Sequence, residues 1–519
     1  MAQAGSFDLN DDSVAVVIGS GAGGGTVASQ LAQRGINVVC LEAGARLART
    51  DIVNDEATMF PRITWMDERI GEEDAVKDFP LWTCKTVGGT TMHWTAACPR
   101  LSAHETRARS TYGNVAGANL ADWPIAYDEL SAWYTRAEQL MGVAGTNGIP
   151  RMPENNNFKV LAAGARAIGM RDMDTNNMAI NVTPRDGRAG CLQTGFCTTG
   201  CVVGAKWSTF HAELPKAELT GHLEIRPQSM ATRIVTDDSG KVTAVEYLDA
   251  AGQRRTQRAA FVCVAGNVVE TARILLNSRN DQFPNGLANS SDQVGRNYMR
   301  HIYAGVIGVM PGKVGMYKGA QCAGIVKDDM RHDPSRGFVG GLQYHIVPFS
   351  PSTMINYGPT GWGSDVADMM ERYDYMAGTL VLGEDLPESD NRITLHPTRR
   401  DQHGLPVPVV RYKLHPNTIA MREYGRKRVH EMYTALGAEQ IIDMQNLPST
   451  HNMGVARMGD DPATSVCNPY GQTHDIANLF VSDGSLFPSA GCANPTLTIV
   501  ALALRQADYI AGQRATGAL

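Results

Sequence analysis

Near its start the chain runs through five consecutive apolar residues, Val14 to Ile18, and stops at glycines; Thr26 to Arg34 then has helical character, and "INVVCLE" gives a second apolar run ending at Glu42. A short apolar run bounded by glycine suits a buried strand, and the three pieces together predict a βαβ unit. A similar pattern closes the chain, where Leu479 to Ser482 reads as a strand ending at Asp483 and Gly484, and Pro495 starts an apolar helix. Between them, Cys40 and Cys263 sit in strand-like surroundings, "RGFVGGLQYHIV" (336–347) and "GLPVPVVRYKL" (404–414) read as short strands, and 418–436 reads as a helix. "PSRGF", "YGPTGWGSD" and "TRRDQHGLP" carry turn chemistry, and 350–365 is long enough for either a pocket lid or an ordinary long loop. No internal repeat, low-complexity tract or flexible linker breaks the pattern.

Length then divides the chain into more than one packed unit, since 519 residues exceed the size at which one core stops growing. Hydrophobic residues at 43% and charged residues at 19% are ordinary globular usage, so disorder is not expected. A net charge of -6 with no Lys/Arg-rich run argues against nucleic acid as a partner. The longest apolar stretch near the C-terminus, Leu497 to Leu504, is followed by Arg505 and falls well short of the roughly 20 residues that span a bilayer. The N-terminus has no basic segment ahead of its apolar run, so no signal peptide of its own is expected.

The first turn carries the clearest chemistry. Gly19, Gly21 and Gly24 form GxGxxG between a strand and a helix, with Glu42 about 20 positions on. Glycines there permit a tight turn and close approach of a pyrophosphate to a helix N-terminus, while the carboxylate can hold ribose hydroxyls. Dinucleotide binding is expected, with FAD favoured by the motif's position at the start of the chain.

Four further segments resemble the glucose-methanol-choline (GMC) oxidoreductases: "KTVGGTTMHWTAACPR" (85–100), "FVCVAGNVVETARILLNS" (261–278), "VGRNYMRH" (294–301) and "LFVSDGSLFPSAGCANPTLTIVALALRQADYI" (479–510). The resemblance implies an α/β GMC fold, with a Rossmann-like FAD-binding domain and a sheet-based substrate domain. Its discontinuous FAD-binding domain would comprise 1–50, 80–100, 220–305 and 446–519; the substrate domain would take 51–79, 101–219 and 306–445, with the cysteine cluster at 191–201. Cofactor contacts implied are Gly19, Gly21, Gly24, Glu42, Gly89, Thr91, His93, Trp94, Thr95, Ala96, Ala231, Asp483, Gly484, Asn494 and Thr496. The final helix's N-terminus would face the flavin and favour its reduced, anionic state.

The family's active-site histidine corresponds to His451 in "STHNMGVARMGDD", and its second His or Asn to Asn494 in "CANPT". Oxidising an alcohol removes a hydroxyl proton as hydride leaves carbon for flavin N5, so His451 suits a general base and Asn494 a partner for the substrate oxygen. Asn452 reads as a turn residue or an accessory. In pyranose 2-oxidase a similar "THW" histidine is bonded to the flavin; at His93 the bond is left open, against a histidine packed at the dimethylbenzene edge.

"GCLQTGFCTTGC" holds Cys191, Cys197 and Cys201 within one glycine-rich segment. On the residues alone three readings stand: an iron–sulfur site, a zinc site completed by His211, and a disulfide with one spare thiol. The segment resembles that of bacterial FAD-dependent sugar dehydrogenases of this superfamily, which implies a [3Fe-4S] cluster with one thiolate per iron. It also implies a dehydrogenase passing single electrons outward, with a small accessory subunit and a cytochrome c-type acceptor as partners, and either a periplasmic location reached through that subunit or a cytoplasmic one. The expected substrate is a sugar or glycoside, C3 being one candidate carbon. A pyranose-oxidase-like oxidase and a flavin-dependent lyase without net redox are the alternatives. Gln343, Tyr344, His345, Glu384 and Asp385 are candidate polyol contacts, each weighed against a structural role.

Overall fold

A computed structural model describes residues 6–358, 362–445 and 448–519. The boundary expected at 446 therefore lies outside the described residues. Five strands, β1 (Ala15–Ile18), β2 (Val38–Leu41), β3 (Leu223–Arg226), β4 (Phe261–Val264) and β5 (Leu479–Val481), form one all-parallel sheet in the order β5-β4-β1-β2-β3. Four of its strands are apolar and buried along their whole length, as a sheet covered on both faces requires.

Register aligns the ends of these strands. Ile18 pairs with Leu41 on one side and with Val264 on the other, and Val264 pairs with Val481. Gly19, Glu42, Ala265 and Ser482 thus emerge together at the carboxyl edge. The chain leaves β1 toward β2 on one side, while β4 and β5 lie on the other, so this edge is the topological switch point where α/β sheets open a crevice.

Three helices border the crevice: α1 (Ala22–Ala32), α2 (Val268–Asn277) and α3 (Thr496–Ala515). The first begins four residues earlier than its periodicity predicts, through Gly23, Gly24 and Gly25, which are poor helix formers. Packing explains it: a Cβ at Gly23 would sit 1.5 Å from the Ser482 carbonyl oxygen, and one at Gly25 would sit 2.5 Å from that of Ser20. Close seating of α1 against the sheet outweighs helix propensity.

Above the crevice stands a six-stranded antiparallel sheet, in the order Gln440–Asp443, Ile302–Val309, Met376–Gly383, Leu342–Ile346, Gly324–Val326 and Met173–Thr175. Leu342, Tyr344 and Ile346 share a core cluster with Leu161, Met421 and Tyr433 of the helices Asn156–Ala167 and Pro416–Ala435. Gln343 and His345, alternating with them, are turned to the opposite face.

Some connections differ from expectation. The segment 350–365 is not one long loop: Ser350 caps a helix at Pro351–Tyr357 and another starts at Ser364, while 359–361 lie outside the described residues. "PSRGF" winds into a 3-10 turn at Pro334–Arg336, and the strand expected from 336 is confined to Leu342–Ile346. Thr398 to Arg400 complete the strand Arg392–Arg400, which leaves the turn to 401–404.

Candidate active site

At the carboxyl edge of β1 the glycines divide their work. Gly19 has φ +98°, and a Cβ there would lie 2.3 Å from the Ala265 carbonyl oxygen; at Gly24 it would lie 2.1 Å from that of Gly19. Both serve the turn and the strand–helix contact. Gly21 differs, because the nearest atom to its missing Cβ is 3.8 Å away and the residue lines the open cleft. It precedes the first turn of α1, whose cap makes no side-chain hydrogen bond and whose N–H groups are suited to an anion.

Glu42 lines the same cleft beyond the end of β2. Its Oε2 accepts from the Ser20 hydroxyl (2.6 Å) and backbone N–H (3.1 Å), and its Oε1 accepts from Gly44 N (2.9 Å). Burial raises its pKa and these hydrogen bonds oppose the rise. Across the crevice, the Asp483 carboxylate accepts from the Thr271 hydroxyl (2.6 Å) and Ser485 N (2.9 Å). The N-terminus of α3 lines the cleft through Pro495 and Thr496, with no side-chain cap and no acidic residue in its first turn.

Five buried polar atoms of cleft residues have no hydrogen-bond partner among the described residues: Trp65 Nε1, Asn267 Oδ1, His93 Nε2, Asn452 Nδ2 and Asn494 Oδ1. Each costs on the order of 1–3 kcal/mol if left alone. Together with the Gly21 cradle and two bare helix N-termini they fit FAD, whose pyrophosphate, ribose and flavin would take up these groups.

The reacting end is built around His451. Its Nδ1 lies 2.9 Å from Nδ1 of His301, and Nε2 of His301 lies 2.8 Å from the Gly491 carbonyl oxygen. A carbonyl only accepts, so His301 carries its proton on Nε2, its Nδ1 accepts, and His451 donates from Nδ1. That leaves Nε2 of His451 as an unprotonated base. Burial, with the nearby His301, His345 and His93, holds the His451 pKa well below the usual range. Burial likewise lowers His301 to about 4. His93 stacks on Trp82 with ring centroids 4.5 Å apart and is lowered to about 4, by burial first and then by the Lys206 ammonium.

Lys206 ties this region to the thiol segment. The side chain is 1% exposed, and its Nζ donates to the carbonyls of Met92 (2.8 Å), Trp94 (2.8 Å) and Cys197 (2.6 Å), thereby bracketing His93. Thr198, in the 3-10 turn Cys197–Thr199, itself lines the cleft. The thiols are free; Cys191 Sγ accepts from Gln193 N and Cys201 Sγ from Lys206 N, both at 3.4 Å. Cys191 and Cys201 act electrostatically on Cys197, whose thiol burial pushes up to about 12. Gly195 passes so close to Tyr317 that a Cβ would lie 2.1 Å from its carbonyl oxygen. His211 Nε2 lies 3.1 Å from the Gly200 carbonyl oxygen. Among the described residues, no group of three or more His, Cys, Asp or Glu is arranged to hold a metal ion. The three thiols stand in one segment, with N–H groups on two of the sulfurs.

Of the expected site residues, Gly19, Gly21, Glu42, Gly89, Thr91, His93, Trp94, Thr95, Ala231, His451, Asp483, Gly484, Asn494 and Thr496 line one cleft. Gly24 and Ala96 do not; Gly24 is packed under β1, and Ala96 is fully buried with φ 70°. Asn452 is no turn residue: it pairs with Arg300 in a short strand, and its Oδ1 accepts from the Tyr298 hydroxyl at 2.7 Å. Among the polyol candidates, Asp385 accepts from Tyr412, Thr418 and two backbone N–H groups, and Tyr344 donates to Asp329. Those two are structural. Gln343 Oε1, His345 Nε2 and Glu384 Oε1 are buried without partners, and His345 lies within electrostatic reach of His301 and His451. Sequence reasoning missed His301, Lys206, Ser20 and Asn267; His301 and Asn267 stood inside segments that were singled out for other residues.

The chain matches two family models described as GMC oxidoreductase, one over residues 1–303 and the other over 387–503. It is 32% identical to 2-methyl-1,2-propanediol dehydrogenase of Mycolicibacterium austroafricanum, over 96% of this chain and 95% of that protein. Identity to the fructose dehydrogenase large subunit of Gluconobacter japonicus is 30%, over 95% and 97%. A crystal structure of formate oxidase superposes with a TM-score of 0.72 at 14% identity, covering 99% of this chain and 100% of that one.

Proposed function

We propose, from the premise that this chain belongs to the GMC oxidoreductase family and is an FAD-dependent oxidoreductase acting on alcohol or sugar-like CH–OH donors, that it is a dehydrogenase of a sugar or glycoside, with ring C3 the candidate carbon. The observation that carries the reading is the His451 ring, which presents an unprotonated Nε2 because His301 and the Gly491 carbonyl fix the proton positions behind it.

When bound, FAD supplies the hydride acceptor at N5. The substrate CH–OH loses that hydride from carbon and a proton from oxygen and becomes a carbonyl; His451 Nε2 takes the proton. Asn494 and Asn452, each with an unpartnered amide atom, orient the reacting hydroxyl. Gln343, His345 and Glu384 hold further unpartnered polar atoms, buried outside the lining of this cleft. His93, which lines the cleft, would border the flavin without a covalent bond to it. The N-terminus of α3 favours negative charge at the cofactor.

Cys191, Cys197 and Cys201 would hold a [3Fe-4S] cluster, whose chemistry is one-electron transfer, and this favours an external carrier over oxygen as acceptor. The support is the seam between the two regions: Thr198 borders the cleft, and Lys206 bridges Cys197 to the residues flanking His93. A relative named as a large subunit suggests an accessory subunit here as well, with a cytochrome c-type acceptor.

Anaerobic mixing with a panel of sugars, glycosides and diols tests the reading. Flavin bleaching by a sugar or glycoside, with steady turnover faster on a one-electron dye than on oxygen, is the expected result. Bleaching only by simple diols overturns the substrate assignment, and faster turnover on oxygen overturns the acceptor.

A further inference from the structure

Two consecutive residues in the turn before α3 have their backbone held by buried side chains from three other parts of the chain. The Gly491 carbonyl takes the Nε2 proton of His301 at 2.8 Å. Beside it, Cys492 N donates to Glu105 Oε1 and the Cys492 carbonyl accepts from Gln343 Nε2, both at 2.6 Å. Gln343 stands on the strand Leu342–Ile346, and Glu105 opens the 3-10 turn Glu105–Arg107, its other carboxylate oxygen accepting from Ser102 N at 2.5 Å. Both side chains are buried. Gly491 has φ +59°, and a Cβ there would lie 2.3 Å from Leu101 Cδ2, so the turn is tightly packed on that side as well. Asn494 lies two residues further on, immediately before Pro495 and α3. Its Oδ1 is buried without a partner, and among the described residues its side chain makes no hydrogen bond. His451, by contrast, is held through its own ring by His301. An amide without a side-chain partner is aimed by its backbone, so the groups that fix the Cys492 peptide also set where Asn494 points.

We propose that Glu105 and Gln343 are positioning residues for Asn494, gripping Cys492 by its N–H and its carbonyl so that the Asn494 amide meets the reacting hydroxyl. The proposal rests on the reading of Asn494 given above. Neither Glu105 nor Gln343 lines the cleft, so each acts through the turn. The geometry matters because a misplacement of about 1 Å, even from a change far from the chemistry, can cost on the order of 10²-fold in rate. His301 holds the same turn one residue earlier, so the base and the amide share one support.

A double-mutant cycle on the holoenzyme tests it. Limiting rates of flavin reduction are measured for wild type, Gln343→Met, Asn494→Ala and the double variant, with Tm and bound FAD as controls. The reductant is whichever sugar, glycoside or diol of the panel above bleaches the wild-type flavin fastest. Gln343→Met should slow reduction about tenfold with FAD retained. In the Asn494→Ala background the same change should cost less than about threefold, because the residue it positions is gone. Glu105→Leu should behave as Gln343→Met does, and Glu105→Gln, which keeps an acceptor for Cys492 N, should recover most of the rate. Where one of Gln343→Met and Glu105→Leu yields no folded protein, the cycle built on the other decides. Equal losses in the two backgrounds, or no loss in either, overturn the proposal alone. Asn494→Ala protein reduced at the wild-type rate overturns the reading of Asn494 and the proposal with it.

Discussion

The Nδ1 atoms of His451 and His301 lie 2.9 Å apart, and the Gly491 carbonyl behind His301 leaves one proton order that satisfies all three groups. His301 therefore positions the base without touching substrate. His301→Phe, which removes the acceptor, should slow flavin reduction by on the order of 10-fold or more, while His301→Gln keeps an acceptor and should restore much of the rate. Stopped-flow bleaching checks it; equal rates in both variants would leave His301 a packing residue.

His451→Ala should cost about 10²- to 10⁴-fold in flavin reduction with FAD still bound, the range expected for a positioned base. Because burial lowers the His451 pKa below its ordinary 6.5, the active, unprotonated form persists toward acid. The reduction rate should stay level as pH falls from about 8 to 6.5 and decline only below that range. A limb falling through 7 would contradict the low pKa.

Gly21 and Gly23 stand two residues apart with opposite sensitivities. Gly21→Ala has room in the fold and intrudes on the cleft, so it should preserve Tm and weaken FAD binding at least tenfold. Gly23→Ala would place its methyl 1.5 Å from the Ser482 carbonyl oxygen and should lower Tm or yield little folded protein. Thermal melts and FAD titration of the apoproteins separate the two.

Glu384 sets a pH dependence of stability. Burial, then the neighbouring Glu105, raises its pKa from 4.5 to about 8, with the Tyr112 hydroxyl opposing. Between those values the folded state keeps a proton that the unfolded state has released, so stability is full below 4.5 and is lost as pH rises toward 8. Glu384→Gln should flatten the fall in Tm over that window, recovering on the order of a few kcal/mol at its alkaline end. An unchanged slope would place the lost stability elsewhere.

His93 lines the cleft, lies flat against Trp82 and has an unpartnered Nε2. Acid precipitation should release yellow flavin into the supernatant; a yellow pellet would establish a covalent bond.

Local pattern made much of this legible. The glycine turn, the apolar strands and the acidic residue after β2 are short-range signals, and register alone gathers Gly19, Glu42 and Asp483 at one edge. What escaped depends on contacts between distant segments. His301 and His451 are 150 residues apart, and nothing in "NYMRH" marks its histidine as a support for another. Lys206 looks like a surface lysine until 92–94 and 197 close over it. Gly23 to Gly25 resemble a loop because propensity favours one, and their close approach to Ser482, Gly19 and Ser20 explains the helix.

The most direct test of the account is EPR and absorbance on the anaerobic protein before and after a reducing sugar or glycoside substrate is added. The account predicts iron and sulfide in the cluster's ratio, a signal from the oxidised cluster, and loss of that signal together with flavin bleaching. Flavin bleaching in a protein that holds neither iron nor sulfide would contradict it.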